Sequence, residues 1–206
     1  MMFSIEGKFF SIISRLGDLV ILNILFLICC IPIVTIGASV SAMYGVTKKM
    51  AEDREGYILK SFFGAFKENF RQSTVMWLIL FVCAAIVSVD LYICSNFMKE
   101  GLVQNFAKGF MLFALLLVFF MILYSLTLQC TFENTVRNTL KNAFLISLGH
   151  APWSVLMTVL ALSPFIALLY FGEYFGTELF AMLLIWFSGM AYINSFILNR
   201  IYKKYM

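Results

Sequence analysis

From Asp18 to Lys49 the chain reads DLVILNILFLICCIPIVTIGASVSAMYGVTKK, an apolar passage long enough to cross a bilayer yet interrupted in its middle by Pro32. Asp18 to Ile31 covers about 21 Å at the helical rise, short of the roughly 30 Å hydrocarbon core. Proline brings no backbone donor and crowds the preceding turn, so a helix is expected to break there. Beyond it Thr35 is placed to cap a second helix from Ile36. Gly37, Ser41 and Gly45, with Ala38 and Ala42, form rows of small residues that let another backbone approach closely. Two readings compete: one long kinked span, or a hairpin of two short helices.

Charge favours the hairpin. Lys48, Lys49, Arg54, Lys60, Lys67 and Arg71 follow the passage and assign that interval to the cytoplasm under the positive-inside rule. A hairpin keeps the amino terminus, with Lys8 and Arg15, on the same side, whereas a single span would put those two cations outside. A cleavable signal, with Leu19 to Ile31 as its apolar core and Val40-Ser41-Ala42 as the cleavage site, is the other alternative; cleavage would send the basic segment across the membrane.

The remainder of the chain supports a membrane class. The whole chain is 62% hydrophobic and 13% charged, with mean hydropathy +0.93, against about 45–50% apolar and about 25% charged in soluble domains. At 206 residues, residues 1–206 read as a single membrane domain. The net charge of +4 lies at the ends of apolar runs, which suits an anionic lipid leaflet better than nucleic acid. Cys29, Cys30, Cys83, Cys94 and Cys130 form no CxxC and no cluster with the single histidine, His150, so neither metal nor cofactor is expected.

The fold class expected is all-α, a polytopic helical membrane protein of about six membrane segments with amphipathic interfacial helices. Residues 1–16, with Phe3, Phe9, Phe10, Ile13 and Leu16 near one face, read as a helix lying in the interface. The broken hairpin occupies 18–51. An amphipathic helix over 56–72 carries Leu59, Phe62, Phe63, Phe66 and Phe70 on one face and Lys60, Lys67 and Arg71 on a flank of the other; it suits the headgroup layer or a partner helix.

Residues 74–132 make a second hairpin, with a loop from Met98 to Lys108, and 133–150 a cytoplasmic interval holding Arg137 and Lys141. Residues 152–206 give a third hairpin, bent near Pro164, turning at Glu173 and Glu178, and ending in a basic tail. Ala65 to Phe70 before one span resembles Thr139 to Phe144 before another, which suggests three diverged units. Both termini are expected in the cytosol, in the bacterial cytoplasmic membrane.

Polar residues inside apolar runs are the candidate site residues. Asp90 lies in the outer part of its span, where a carboxylate is costly unless paired, hydrated or protonated, and no basic residue is expected at matching depth. Asn23 is expected to bond across the hairpin to Ser39 or Ser41. Gln129, with Glu133 and Asn134, reads as the capped end of its helix. Asn194, beside Ser188 and Gly189, suits helix packing. Thr35, Gly37 and Asn69 complete the set.

Asn23, the run Pro32-Ile33-Val34-Thr35-Ile36-Gly37-Ala38 and Ala42-Met43-Tyr44, followed by Phe62 to Gln72, resemble the YesL family of small bacterial membrane proteins. Asn138-Thr139-Leu140-Lys141-Asn142-Ala143 fits the same resemblance. That family has no determined molecular activity and offers no catalytic residues to carry over. Its members are often encoded beside carbohydrate importers and glycan-degrading enzymes, which implies a link to sugar uptake by association. No HExxH or comparable catalytic set occurs in the sequence. The expectation is therefore a non-enzymatic membrane protein, with the lipid bilayer and subunits of a carbohydrate importer as partners. The alternative is a small secondary transporter or channel using Asp90 and the Pro32 break, and a third reading is a scaffold for membrane assembly.

Overall fold

The computed structural model describes residues 3–54, 56–98, 101–132, 134–170 and 175–205, with side chains described for all of these but 3–12 and 169. Expectations that rest on Phe3, Phe9, Phe10, Glu133 and Glu173 fall outside those described. Every element is helical, and no strand occurs among the described residues. The helices are α1 (Phe3–Cys30), α2 (Ile36–Ala51), α3 (Ile58–Phe97), α4 (Leu102–Gln129), α5 (Val136–Gly149), α6 (Ala151–Tyr170), α7 (Phe175–Ala181) and α8 (Phe187–Tyr202). A short 3-10 turn, Ile33–Thr35, precedes α2, and a π turn, Met182–Trp186, joins α7 to α8 without a break.

Among the described residues five stretches are long and apolar enough to cross a membrane: Ile13–Cys30, α3, α4, Ala151–Leu168 and Phe175–Tyr202. The expected six included α2, whose 16 residues reach about 24 Å. This is below the hydrocarbon thickness.

Three boundaries differ from the sequence reading. No break separates an interfacial helix from the first apolar segment, because α1 runs through Gly17 and Asp18. The amphipathic segment and the span after it form one 40-residue rod, α3, about 60 Å long. Nothing in Lys67 to Thr74 is a helix breaker, and while Asn69 and Ser73 turn inward, Lys67, Glu68 and Arg71 lie exposed along the rod. The loop expected up to Lys108 is shorter, since α4 begins at Leu102 and takes Lys108 into its second turn. Pro164 is accommodated inside α6.

The fold is built around α2. Ten of its 16 residues are buried, among them Ala42, Met43, Val46 and Met50, whereas α3 buries seven of 40. Gly37 is what allows α3 to lie against it: a Cβ there would stand 2.5 Å from both the Ser73 carbonyl oxygen and the Trp77 Cβ. Gly45 is looser, with Ala65 Cβ 3.5 Å and Cys130 Cβ 3.7 Å from the same hypothetical atom. The stripe that α3 turns inward is Ile58, Phe62, Asn69, Ser73, Met76 and Leu80. Of the expected phenylalanine face, Phe62 is fully buried, while Leu59, Phe63 and Phe70 are exposed. Beyond Leu80 the α3 rod and its antiparallel partner α4 leave much of their apolar surface uncovered, including Val82, Ile86 and Val89 on one and Phe106, Phe110 and Phe113 on the other.

Candidate functional site

Two polar constructions are buried in this apolar molecule and another ties down its exposed first turn; each reaches helices distant in sequence. In lipid an unmet hydrogen-bonding group has no water to turn to, so buried polar side chains are expected to be spent on one another or on backbone.

The first closes the turn between α1 and α2. Thr35 stands at the start of α2 as expected, but its hydroxyl does not cap that helix. It donates instead to the carbonyls of Cys29 (2.6 Å), near the end of α1, and Pro32 (2.8 Å), which also accepts the Thr35 backbone N–H. Trp77 Nε1, from α3, donates to the Ile33 carbonyl at 2.9 Å. The backbone of the turn is thereby satisfied while its side chains face outward: Ile31 is 78% exposed and Ile33 60%.

The second lies at the π turn. Asn23 is fully buried and does not bond to Ser39 or Ser41. Its Nδ2 donates to the carbonyls of Met182 (3.0 Å) and Leu183 (2.8 Å), and its Oδ1 accepts from the Ser188 backbone N–H (3.0 Å). A π turn carries one extra residue in the helical ladder and disturbs the regular i to i−4 bonding. One amide side chain supplies the donor and the acceptor the disturbed ladder needs. Ser188 adds a hydroxyl bond to the Leu19 carbonyl at 2.7 Å, so α1 is joined to the last helix over two turns.

The third is a seam between α2, α4 and α8. Thr47 and Ser195 share a hydrogen bond of 2.9 Å, Thr127 and Tyr202 one of 2.6 Å, and Asn194 Nδ2 donates to the Tyr44 hydroxyl at 3.2 Å. Among the described residues Asn194 Oδ1 has no hydrogen-bond partner. At the edge of the seam Lys48 donates to the Thr131 hydroxyl at 3.2 Å. Burial pushes the Cys130 thiol up to about 11, and burial lowers the Lys48 ammonium from its ordinary value. The Cys130 shift runs opposite to the activation of a nucleophile. The space left in the seam is about 10 Å³, about one water's worth. Hydroxyls and amides in this arrangement fix helix register.

Gln129 belongs to a neighbouring chain of contacts. Its Nε2 donates to Gln72 Oε1 of α3, and its Oε1 accepts from the Thr139 hydroxyl of α5 at 3.4 Å. It therefore bridges three helices instead of capping one. Asn69 turns its amide back to the Ala65 carbonyl at 3.0 Å on its own helix.

Asp90 stands apart from all of these, exposed on the outer half of α3. The register of the α3–α4 pair is set by Gln104, whose Nε2 donates to the carbonyls of Cys94 (3.0 Å) and Met98 (3.2 Å). One turn inward from that clasp lie Asp90 on α3 and half-buried Lys108 on α4. A cation thus stands at a depth matching Asp90, contrary to expectation, because α4 starts seven residues before Gly109. Among the described residues no group of His, Cys, Asp and Glu is arranged to hold a metal ion.

The seam residues Tyr44, Thr47, Thr127, Ser195 and Tyr202 were not among the site residues expected from sequence. Their signal was present as hydroxyls recurring on apolar helices, but only the fold says which of them meet.

Comparison with known families supports one stretch of the chain. A family model described as "Protein of unknown function, DUF624" matches residues 19–91, from the second half of α1 into the outer part of α3. The match contains Asn23, Thr35, Gly37, Asn69 and Asp90, while Gln129 and Asn194 lie beyond it. No curated protein and no solved structure matches the chain.

Proposed function

We propose that the chain is a non-enzymatic protein of the bacterial cytoplasmic membrane that assists or regulates another membrane system, and that this system is a carbohydrate importer, the company in which the resembling YesL family is found. The observation that carries the reading is the uncovered outer half of the α3–α4 pair, which offers Val82, Ile86, Val89 and Phe110 around an exposed carboxylate, Asp90, that makes no ion pair among the described residues although Lys108 stands one turn from the same clasp. Lipid tails satisfy the apolar residues but not the carboxylate, whose cost falls when a partner helix brings a donor or cation to it.

In this reading α3, α4, α6 and the continuous Phe175–Tyr202 helix cross the bilayer, and the α1–α2 hairpin enters from the cytosolic face and turns inside it. The 16-residue length of α2, the outward Ile31 and Ile33 and the satisfied carbonyls of the turn support that arrangement. An even number of crossings leaves both termini in the cytosol. The alternative, a transporter using Asp90 and the Pro32 break, asks for a path joining them. Asp90 is on the outer surface and the buried seam holds about 10 Å³, which favours the accessory role.

Copurification tests it. Cells grown on the relevant glycan are solubilised mildly, with a photo-crosslinking residue at Ile86 in one sample and at Ile21 in another. Importer subunits captured from Ile86 and not from Ile21 are the expected result. Recovery of no importer subunit at either position overturns the proposal. Proteoliposome flux that Asp90→Asn abolishes would establish the transporter instead.

A further inference from the structure

The carboxyl-terminal end of α8 and the amino-terminal end of α6 enclose a groove of about 380 Å³ lined by His150, Trp153, Phe196, Ile197, Arg200 and Lys204, with Ile201 at its base. All its charged residues are basic. The neighbouring groove on the other flank of α8, which also includes Arg200, contains Glu52 paired with Arg54 and is partly neutralised from within. Arg200 and Lys204 take part in no ion pair among the described residues.

The imidazole is held in place on two sides. His150 Nδ1 lies 3.3 Å from the Ile146 carbonyl, and Tyr205 meets the ring edge-on with centroids 6.0 Å apart. Nε2 remains as the polar ring atom with no partner assigned. The apolar part of the lining, Phe196 and Ile197, lies near the end of the Phe175–Tyr202 stretch that is long and apolar enough to cross a membrane, and Trp153 is of the type that settles at the lipid–water boundary.

We infer that this groove binds the phosphate of an anionic glycerophospholipid, with Arg200 and Lys204 on the phosphate oxygens and an acyl chain along Phe196 and Ile197. Guanidinium and ammonium donors are matched to phosphate in charge and geometry. A basic pocket between membrane helices is the expected form of a headgroup site. The apolar half selects the lipid over free phosphate, which would leave that surface uncovered.

Native mass spectrometry of the purified full chain tests this, counting lipids retained from mixed phosphatidylglycerol and phosphatidylcholine micelles. The parent is expected to retain phosphatidylglycerol at least 10-fold better than a variant carrying Arg200→Gln and Lys204→Gln. A control with Arg137→Gln and Lys141→Gln, the same loss of charge on exposed α5, is expected to match the parent. Should the first variant fold poorly, Lys204→Glu in the exposed final turn replaces it, with the same loss expected. Equal retention by parent and groove variant overturns the site. Equal loss in the control shows diffuse charge attraction and overturns it too. Displacement of phosphatidylglycerol by glycerol 1-phosphate as effectively as by a short-chain phosphatidylglycerol overturns the lipid and leaves a soluble phosphate ester as ligand.

Discussion

Two consecutive helix pairs of the molecule are built in opposite ways. In the α1–α2 pair the second helix is short and packed on several sides, and the turn before it is apolar, with carbonyls met by Thr35 and Trp77. The α3–α4 hairpin is long, and its outer half is mostly exposed and is clasped near its end by Gln104. The difference shows how the same two-helix motif serves separate ends. Where an exposed apolar turn breaks the helical ladder, side chains are committed to its backbone. Where a pair of rods extends past the core, one amide sets the register and the remaining surface is left for lipid or for another protein.

The contrast is most severely tested at Gly37. Replacement by Leu forces a side chain against the backbone of α3 and is expected to cost about 3 kcal/mol or more, the upper end for overpacking, read as loss of the monodisperse folded species in detergent. Gly45→Ala, where the space is ordinary, is expected to leave the same measurement unchanged; equal damage at both would mean that close approach at Gly37 is not what holds α2.

Next comes Asn23→Leu, which strands two carbonyls and one N–H of the π turn. With about 1–3 kcal/mol for a buried group left unmet, a loss of about 3 kcal/mol is expected in reversible unfolding, and an unchanged midpoint would remove the amide from the account. Smaller is Ile33→Lys at the exposed turn, expected to cost about 2–3 kcal/mol of membrane insertion if the turn lies in hydrocarbon, measured as the inserted fraction beside Met98→Lys at the other hairpin's end, where little change is expected. If both lysines are tolerated alike, the two hairpins do not end in different surroundings. The mildest change is Gln104→Leu, expected to cost about 1–2 kcal/mol and to loosen the outer half of α3–α4 alone, seen as faster amide exchange near Cys94 with none near Tyr44.

What could be read from the sequence followed the range of its signals. Pro32 acts on its own neighbours, so the break and the start of α2 near Ile36 were evident. The all-helical membrane class followed from composition and apolar runs. The continuity of α3 was hidden because polar side chains on a helix flank resemble an interval between helices. Asn23 was correctly marked as a buried polar residue but given the wrong partner: its contacts lie about 160 positions away, and the π turn that needs them has no local signature. Asp90 was noticed and Lys108 discounted for one reason, the placement of the α4 start. Thr35 was read as a cap because a threonine before a helix generally is one, and here the unpaired ends of the preceding helix claimed its hydroxyl first.

The π turn has a consequence for how this chain can change. Its one surplus residue turns everything before Met182 by about 100° relative to a regular helix, so the outward and inward sides of Phe175–Ala181 depend on a count. A single deletion between Met182 and Trp186 would restore an ordinary winding and, in the same event, swing those seven residues to a new side and strip Asn23 of its role. Lineages that lose the surplus residue should therefore lose the asparagine with it.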